Sequence, residues 1–589
     1  MTKLTLVDSH FICEQNPFSR INKSGYINLS TAQNYLMWLP LSKKLKLNGY
    51  LGINKKYIHY GELQGEPNLR GYIANNYYNG HSNNCIISAS IWSIIEMIIF
   101  ELCSTGKHVL VFHSELTLYS EFDIIERRTN TKINIIRVSN CSQIPNYLKE
   151  NNTSVIFSFL TSEKNSKKIL DLIEEKNIYY VQCVKDISCF NNTNSPFMLF
   201  VIDLNTSSRY NSSFAIGLGH EFIIQKIYDQ AINSPVSRLS QANLLHFLKS
   251  QDKISQLPNK HDANLIKDLL KKRLTKVMST FAKNVIYPRN IVIGSGATPL
   301  LECFGFILCK KGDSILIPTP YYAGFDHIFC NRVKAKIIKI ETPQCKGKVS
   351  VACLKKYINS SIKCAVICSP VNPTGVVYTR EEIIELAAFA EEQKLHIIFD
   401  EMYANSVFPE ILFYSALNIK SEYVHVVWGL AKDLGLSGFK IGIAHTYSKV
   451  IKSNLEKQSF IFPVATDTLK LVLDIILDYK FILSIFEENK QKIKKSYTFL
   501  TKYLQKYNIE YCEPQSGIFV FINLSPFLKE KSIQGEMNLY RKFLNSSKLN
   551  ISPGHLFHAP EPGWFRICYA VNQQMLNEGI KRLIKTLAL

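Results

Sequence analysis

Short apolar runs recur along the chain, each closed by a glycine, a proline or an acidic residue. Cys364-Ala365-Val366-Ile367-Cys368 ends at Ser369-Pro370, His396-Ile397-Ile398-Phe399 at Asp400-Glu401, and Tyr423-Val424-His425-Val426-Val427-Trp428 at Gly429. Runs of this length, bounded by breakers, predict buried strands. Elsewhere the apolar spacing turns helical, as at Leu300, Leu301, Phe304 and Leu308 after the turn Gly294-Ser295-Gly296-Ala297-Thr298-Pro299, where Pro299 suits a first helical turn. A helical connection is expected over 478–506, then strands at Gly517-Ile518-Phe519-Val520-Phe521-Ile522 and Trp564-Phe565-Arg566-Ile567. This alternation predicts an α/β fold, with a large domain on a mostly parallel central sheet and a small α/β domain near the C-terminus.

The large-domain pattern occurs twice. Cys85-Ile86-Ile87-Ser88-Ala89-Ser90, with Glu96, Leu102, Cys103, Gly106 and Val111, lines up without gaps on the stretch from Ile291-Val292 through Glu302, Leu308, Cys309, Gly312 and Ile317. Ser154-Val155-Ile156-Phe157-Ser158 matches Ala365-Val366-Ile367-Cys368-Ser369, Phe214 through His220 matches Phe439 through His445, and Pro235-Val236 matches Pro463-Val464. Such self-similarity points to a repeated unit, with chance likeness of two α/β segments as the alternative. The expected organisation is an arm over 1–60 that contributes to the small domain, a degenerate large domain over 61–250, a second large domain over 251–477 and a small domain over 478–589. A polar linker is expected at Asn259-Lys260-His261-Asp262.

Candidate chemistry gathers in the second copy. Lys432 follows the strand-like run 423–428 inside the Gly/Ser-rich segment Gly429-Leu430-Ala431-Lys432-Asp433-Leu434-Gly435, where an amine is placed to form a Schiff base. Asp400 ends its strand where an anion can hold a pyridine nitrogen protonated, or where it can cap a helix. Tyr403 and Asn372, the latter in Ser369-Pro370-Val371-Asn372-Pro373-Thr374-Gly375, can reach the phenolic oxygen of such a ring; a plain turn is the alternative for Asn372. Gly296, Ala297 and Thr298 open a helix whose backbone N–H groups suit a phosphate. Tyr322, in Pro318-Thr319-Pro320-Tyr321-Tyr322, can stack on the ring or pack on the sheet. Arg566 sits in an apolar run, where a guanidinium needs an anion; its fork fits an α-carboxylate, a structural ion pair being the other reading. The cofactor implied is pyridoxal 5′-phosphate.

In this order the motifs resemble the class I/II aminotransferase family of fold-type I pyridoxal phosphate enzymes. Pro318-Thr319-Pro320-Tyr321-Tyr322, Lys432-Asp433-Leu434-Gly435-Leu436 and Glu561-Pro562-Gly563-Trp564-Phe565-Arg566 resemble its 1-aminocyclopropane-1-carboxylate (ACC) synthase branch. The resemblance covers roughly 290–589 and 20–75, and implies that Ala32 and Gln33, in Ile27-Asn28-Leu29-Ser30-Thr31-Ala32-Gln33-Asn34, face the substrate. Departures are visible. Family phosphate sites carry Ser and Arg where this chain has Gly429 and Lys440; lysine keeps the charge without the fork. ACC synthases carry Glu where this chain has Gln33, and a Tyr where it has Leu63, with Tyr60 close but out of register. These changes weaken the case for S-adenosylmethionine, so transamination of an α-amino acid stands first, an ACC synthase-like elimination of a γ-leaving group second, and an inactive scaffold third. The first copy has lost the chemistry: the lysine place falls at Ser207, the Asn-Pro-Thr-Gly turn at Thr161-Ser162-Glu163-Lys164, the acid near Gln182, and Trp92 stands at the place of Thr298. The expected assembly is a homodimer, or a pseudo-dimer within one chain.

Composition changes this picture little. The chain has 589 residues, enough for several cores. Its net charge of +21 comes from dispersed lysines with no basic stripe interleaved with aromatics, so a solvated surface is expected rather than a nucleic-acid partner. The 15 cysteines form no Cys-x-x-Cys pair and fall mostly in apolar runs, which suits a cytoplasmic protein without a metal site. Met1 through Asp8 lacks a long apolar core, and Ile91–Phe100 holds Glu96 and is too short for a membrane span.

Overall fold

The computed structural model describes residues 6–47, 55–103, 106–113, 119–138, 141–148, 152–160, 167–184, 195–204, 215–233, 235–250, 260–282, 284–342, 346–476 and 478–589. Ser207 and Thr161-Ser162-Glu163-Lys164, the degenerate counterparts of the lysine and its turn, lie outside the described residues. Among the described residues no helix is long and apolar enough to cross a membrane.

The arm carries β1 (Ile27–Asn28). The first unit is a seven-stranded sheet of β2 (Cys85–Ser88), β3 (His108–His113), β4 (Ile133–Arg137), β5 (Thr153–Ser158), β6 (Tyr179–Val184), β7 (Met198–Asp203) and β8 (Ala215–Gly219), in the order β2-β8-β7-β6-β5-β3-β4. The second is also seven-stranded: β9 (Ile291–Gly294), β10 (Ser314–Thr319), β11 (Lys336–Glu341), β12 (Ile362–Cys368), β13 (His396–Asp400), β14 (Val424–Gly429) and β15 (Gly442–Thr446), in the order β9-β15-β14-β13-β12-β10-β11. The two orders agree place for place. In both, the pairs at the β2-β8-β7 and β9-β15-β14 end are antiparallel and all the others are parallel. Even an irregularity repeats, with a register shift between His108 and Val109 in one sheet and between Ser314 and Ile315 in the other.

The sheet register corrects two of the sequence matches. With Val109 and Ile315 as common reference, Val155 stands at the rung of Cys364; with Cys85 and Ile291, Ala215 stands at that of Gly442. The matches of Ser154 with Ala365 and of Phe214 with Phe439 are each two places out. A slip of two leaves every side chain on its own face of the strand, so apolar alternation does not register it. Cys183, next to Gln182, takes the rung of Asp400. The expected linker is also displaced, since Lys260 already opens the helix Lys260–Met278.

Each large sheet is buried on both faces, as parallel sheets are. Met37, Leu41, Leu45 and Ile58 of the arm join the core of the second unit, not the first. The capped helix Tyr479–Lys506 then leads to a four-stranded sheet, β16 (Tyr511–Cys512), β17 (Phe519–Asn523), β20 (Trp564–Cys568) and β19 (Ser552–Pro553), while β18 (Leu549–Asn550) pairs with β1. Among the described residues the small sheet occurs once.

The two large units meet at a buried cluster of charges. The helix Ile91–Leu102 begins at Ser90, whose hydroxyl accepts the Ser93 N–H, and is apolar except at Ser93, Glu96 and Glu101. Arg128 of the first unit binds Glu96 at 2.5 Å and also Glu302 of the second. Arg332 of the second binds Glu302 at 3.1 Å and Glu96 at 3.0 Å. All four side chains are at most 4% exposed. Burial alone would raise the Glu96 pKa, but Arg128 and Arg332 outweigh it and hold the carboxylate below its ordinary range. Two acids and two bases cancel, which is what makes their burial tolerable.

A depressed folded-state pKa means that the contribution of Glu96 is complete above the unfolded value, about 4.3, and is lost as pH falls through the folded value. Glu96→Gln is expected to cost about 3 kcal/mol at neutral pH, since it leaves a buried guanidinium short of an anion. Denaturant titration of both forms at neutral and acid pH checks this; the gap between them is expected to close toward low pH.

Candidate active site

The adjacent strands β12, β13 and β14 end side by side, and ligands of open α/β sheets bind at that edge. Just beyond them come Asn372, Asp400 and Lys432. The β9 turn closes on the same place. Gly296 takes φ +117° before the helix Ala297–Leu308, which has no side-chain cap, and the Ser295 hydroxyl is buried without a partner. Gly442 permits this approach, because a Cβ there would lie 2.3 Å from the Gly296 carbonyl carbon.

Lys432 is held at its base and at its tip. Next to it Asp433 is fully buried and accepts from the Asn405 N–H at 2.9 Å, the Ser406 hydroxyl at 2.7 Å and the Trp428 indole at 2.8 Å. Asn34 donates to the Lys432 carbonyl at 3.1 Å. The Nζ reaches the Ala32 carbonyl and, at 2.9 Å, the Tyr60 hydroxyl. Burial alone would raise the Tyr60 pKa, but Lys432 and Lys440 outweigh it and bring it down to about 8. Lys440 lies over the Tyr60 ring at 4.3 Å. Burial lowers its own pKa to about 8, helped by Lys432 and Arg238 and opposed by Tyr60.

Around this lysine the structure leaves charges without ordinary counter-ions. Asp400 is 8% exposed, and its carboxylate accepts only the Met402 N–H at 3.3 Å and a distant Cys368 thiol. Burial raises its pKa to about 6, with Lys432 pulling the other way. Arg566 is 4% exposed. It donates to the Asn372 side-chain oxygen at 3.0 Å and to the Ser30 carbonyl at 2.7 Å, while its Nε has no partner. Phe557 and Phe519 flank it at 4.6 and 5.3 Å. No carboxylate of the described residues pairs with it, so the structural ion pair is not the arrangement found. A buried guanidinium satisfied only by neutral oxygens is a ready receptor for an anion.

The other expected residues fall around these. Tyr403 is buried against Phe519, ring centroids 5.1 Å apart, and burial holds its hydroxyl well above the ordinary range. Tyr322 is raised too, by burial first, with Tyr60 and Asp400 adding to it. Ala297 and Thr298 open their helix, half-buried. Gln33 is 1% exposed, accepts the Tyr60 N–H at 3.2 Å and leaves its amide nitrogen unpartnered. Leu63 packs into the first unit's core and takes no part. Tyr60 stands out of register in the sequence, and Ser30, Asp433 and Arg238 are not among the residues its motifs single out. Arg238 donates to the Tyr60 carbonyl at 2.9 Å and to Glu66 at 3.0 Å, fixing the backbone that presents Tyr60. No local signal marks these four, since a carbonyl or a lone tyrosine acquires its role only from the chain it meets.

Pyridoxal phosphate fits these residues. Its pyridine nitrogen answers the unpaired Asp400, its phosphate suits Lys440 and the uncapped helix start, and its aldehyde matches the amine of Lys432. In the first unit the corresponding corner is filled. Trp92, at the place of Thr298, packs on Phe122, Phe159 and Phe460 at 5.2, 6.5 and 5.8 Å between ring centroids.

Comparison with known proteins agrees. The profile of the family "Aminotransferase class I and II" matches residues 228–583. The chain is 35% identical over 300 residues to 1-aminocyclopropane-1-carboxylate synthase 1 of Cucurbita pepo, covering 48% of this chain and 60% of that protein. It is 32% identical over 333 residues to 1-aminocyclopropane-1-carboxylate synthase 3 of Solanum lycopersicum, covering 53% and 71%. The chain thus spans about 60% of the length of the first of these relatives. An aromatic aminotransferase from Pyrococcus horikoshii superposes with a TM-score of 0.50 at 22% identity over 55% of this chain and 86% of the other, a likeness of fold. The chain belongs to the class I and II aminotransferase family, of fold-type I architecture, whose cofactor is pyridoxal phosphate.

Proposed function

We propose that the chain is a pyridoxal phosphate-dependent enzyme acting on a small α-amino acid, and that its chemistry is an ACC synthase-like elimination of a γ-leaving group. Arg566 carries this reading: a buried guanidinium with no acid of its own among the described residues, in the site that holds the Lys432 amine. The relatives at 31–35% identity are ACC synthases, and they reverse the order in which the sequence placed transamination first. Transamination remains the second reading, because Gln33 is a neutral amide where ACC synthases carry an acid, and a neutral group attracts a sulfonium less.

When bound, pyridoxal phosphate supplies an electron sink for the substrate α-carbon. The protein's share follows from its own groups. Arg566 grips the α-carboxylate and so orients the substrate. Lys432, as a free amine, would take the α-proton, and the Tyr60 hydroxyl and Ala32 carbonyl keep its nitrogen in place. Asp400 holds the ring nitrogen charged. Asn372, held by Arg566, and Tyr403 would bind the ring oxygen, and Tyr322 would pack against the ring. Lys440 and the backbone from Gly296 to Thr298 would hold the phosphate. We infer that the first unit carries no cofactor, supported by the ring cluster around Trp92. A cytoplasmic location accords with the scattered cysteines, all of them free among those described.

Purified protein is expected to take up pyridoxal phosphate with a visible absorbance band that is absent from Lys432→Ala; protein that stays colourless after cofactor addition points to a scaffold instead. Arg566→Ala is expected to keep the band and to lower kcat/KM for the amino acid on the order of a hundredfold, through a loss of the buried charge contact. Incubation with S-adenosylmethionine is expected to release methylthioadenosine. If it does not, and amino acids exchange with a keto acid instead, the transamination reading replaces this one.

A further inference from the structure

We propose that the first large unit serves as the second subunit of this enzyme in covalent form, so that one chain works as a monomer with a single site completed in cis. The inference deepens the function proposed above and rests on it for the site, but not for the assembly.

The seam has the contact pattern of a two-fold homodimer. Arg128 and Arg332 hold matching places, each the same distance before Ile133 and Ile337, which pair with Val109 and Ile315. Glu96 and Phe100 match Glu302 and Phe306 along the ungapped helix, and Gln230 matches Gln458 in step with Pro235 and Pro463. Each contact then occurs twice with the units exchanged. Arg128 reaches across to Glu302, to the Gln458 side-chain oxygen at 2.8 Å and over the Phe306 ring at 4.1 Å. Arg332 reaches across to Glu96 at 3.0 Å, to the Gln230 side-chain oxygen at 3.1 Å and over the Phe100 ring at 4.4 Å. Residue i of one unit meets j of the other while the counterpart of j meets the counterpart of i, which defines an isologous interface. On the axis a position meets its own equivalent: the Ser240 and Thr468 hydroxyls, in step with the same proline pair, lie 2.9 Å apart. Chance likeness of two α/β segments predicts none of this.

The seam also completes the site. Tyr60, which meets Lys432, lies where the chain leaves the arm for the first unit, and Arg238 from that unit's helix Arg238–Ser250 fixes its carbonyl. The arm packs Met37, Leu41 and Leu45 into the second unit, the small sheet occurs once among the described residues, and Trp92 lies in the corner of the first unit. One half supplies the chemistry and the other its supporting wall. The surface that a homodimer needs is already used inside the chain.

Sedimentation of the full chain with and without added pyridoxal phosphate tests the assembly. We expect the mass of one chain, 67.4 kDa, and a Tm unchanged on dilution. Twice that mass, with a Tm that rises with concentration, overturns the proposal. Cofactor titration is expected to saturate at one equivalent per chain; two equivalents overturn the single site. A chain that sediments as one unit yet takes up no cofactor upholds the assembly and sinks the function, so the two failures are distinct.

Discussion

Charge neutrality in a place without water governs this molecule. Arg128 and Arg332 together need two carboxylates, and Glu96 and Glu302 provide them only when both large units are docked. Either unit alone would present an uncovered arginine–glutamate pair and an aromatic ring to solvent. The helices bearing the two acids are otherwise almost wholly apolar and buried, so the seam combines hydrophobic area with a demand for exact partners. Area alone would let the units slide; the paired charges fix their mutual orientation.

The active site applies the opposite rule. In the seam every charge has its partner inside the protein. In the candidate site Asp400 and Arg566 are buried beside neutral groups, and Lys440 shares its corner with two other cations. The protein bears the cost of those unmet charges in its unliganded state, and binding is where it is recovered. The flanking rings of Phe519 and Phe557 and the buried Asp433 keep the receptor in shape without neutralising it.

Much of this was legible in the chain before folding. Lys432, Asp400 and Asn372 stand at or just past strand ends that short apolar runs announce, and the topology carries them to one edge, while Arg566 comes from the middle of β20 in the small sheet. The helix through Leu300 and Phe304 and the long helix to Lys506 were readable from spacing and caps. The repeat was readable too, but its register was not: two strands were matched two places out because a slip of that size preserves the face of every side chain. Tyr60 was lost for a different reason. Motif matching asks which residue stands at a family's position, and here the hydroxyl arrives from a neighbouring one. What delivers it is a long-range bond from Arg238, invisible without the fold.

The filled corner of the first unit has a consequence for how such a protein can change. A binding cleft that loses its ligand is a void, and a void in a packed interior costs stability. At the first unit's equivalent corner Trp92 packs on Phe122, on Phe159 and on Phe460 of the second unit, so rings stand where a pocket would open and join the halves. A working site there would require an amine and an acid to appear while several rings shrink together, and each single step would open a hole of its own. In the assembly proposed above, packing holds the first unit in a supporting role as by a ratchet, and leaves one direction for change: the chemistry of the half that has room.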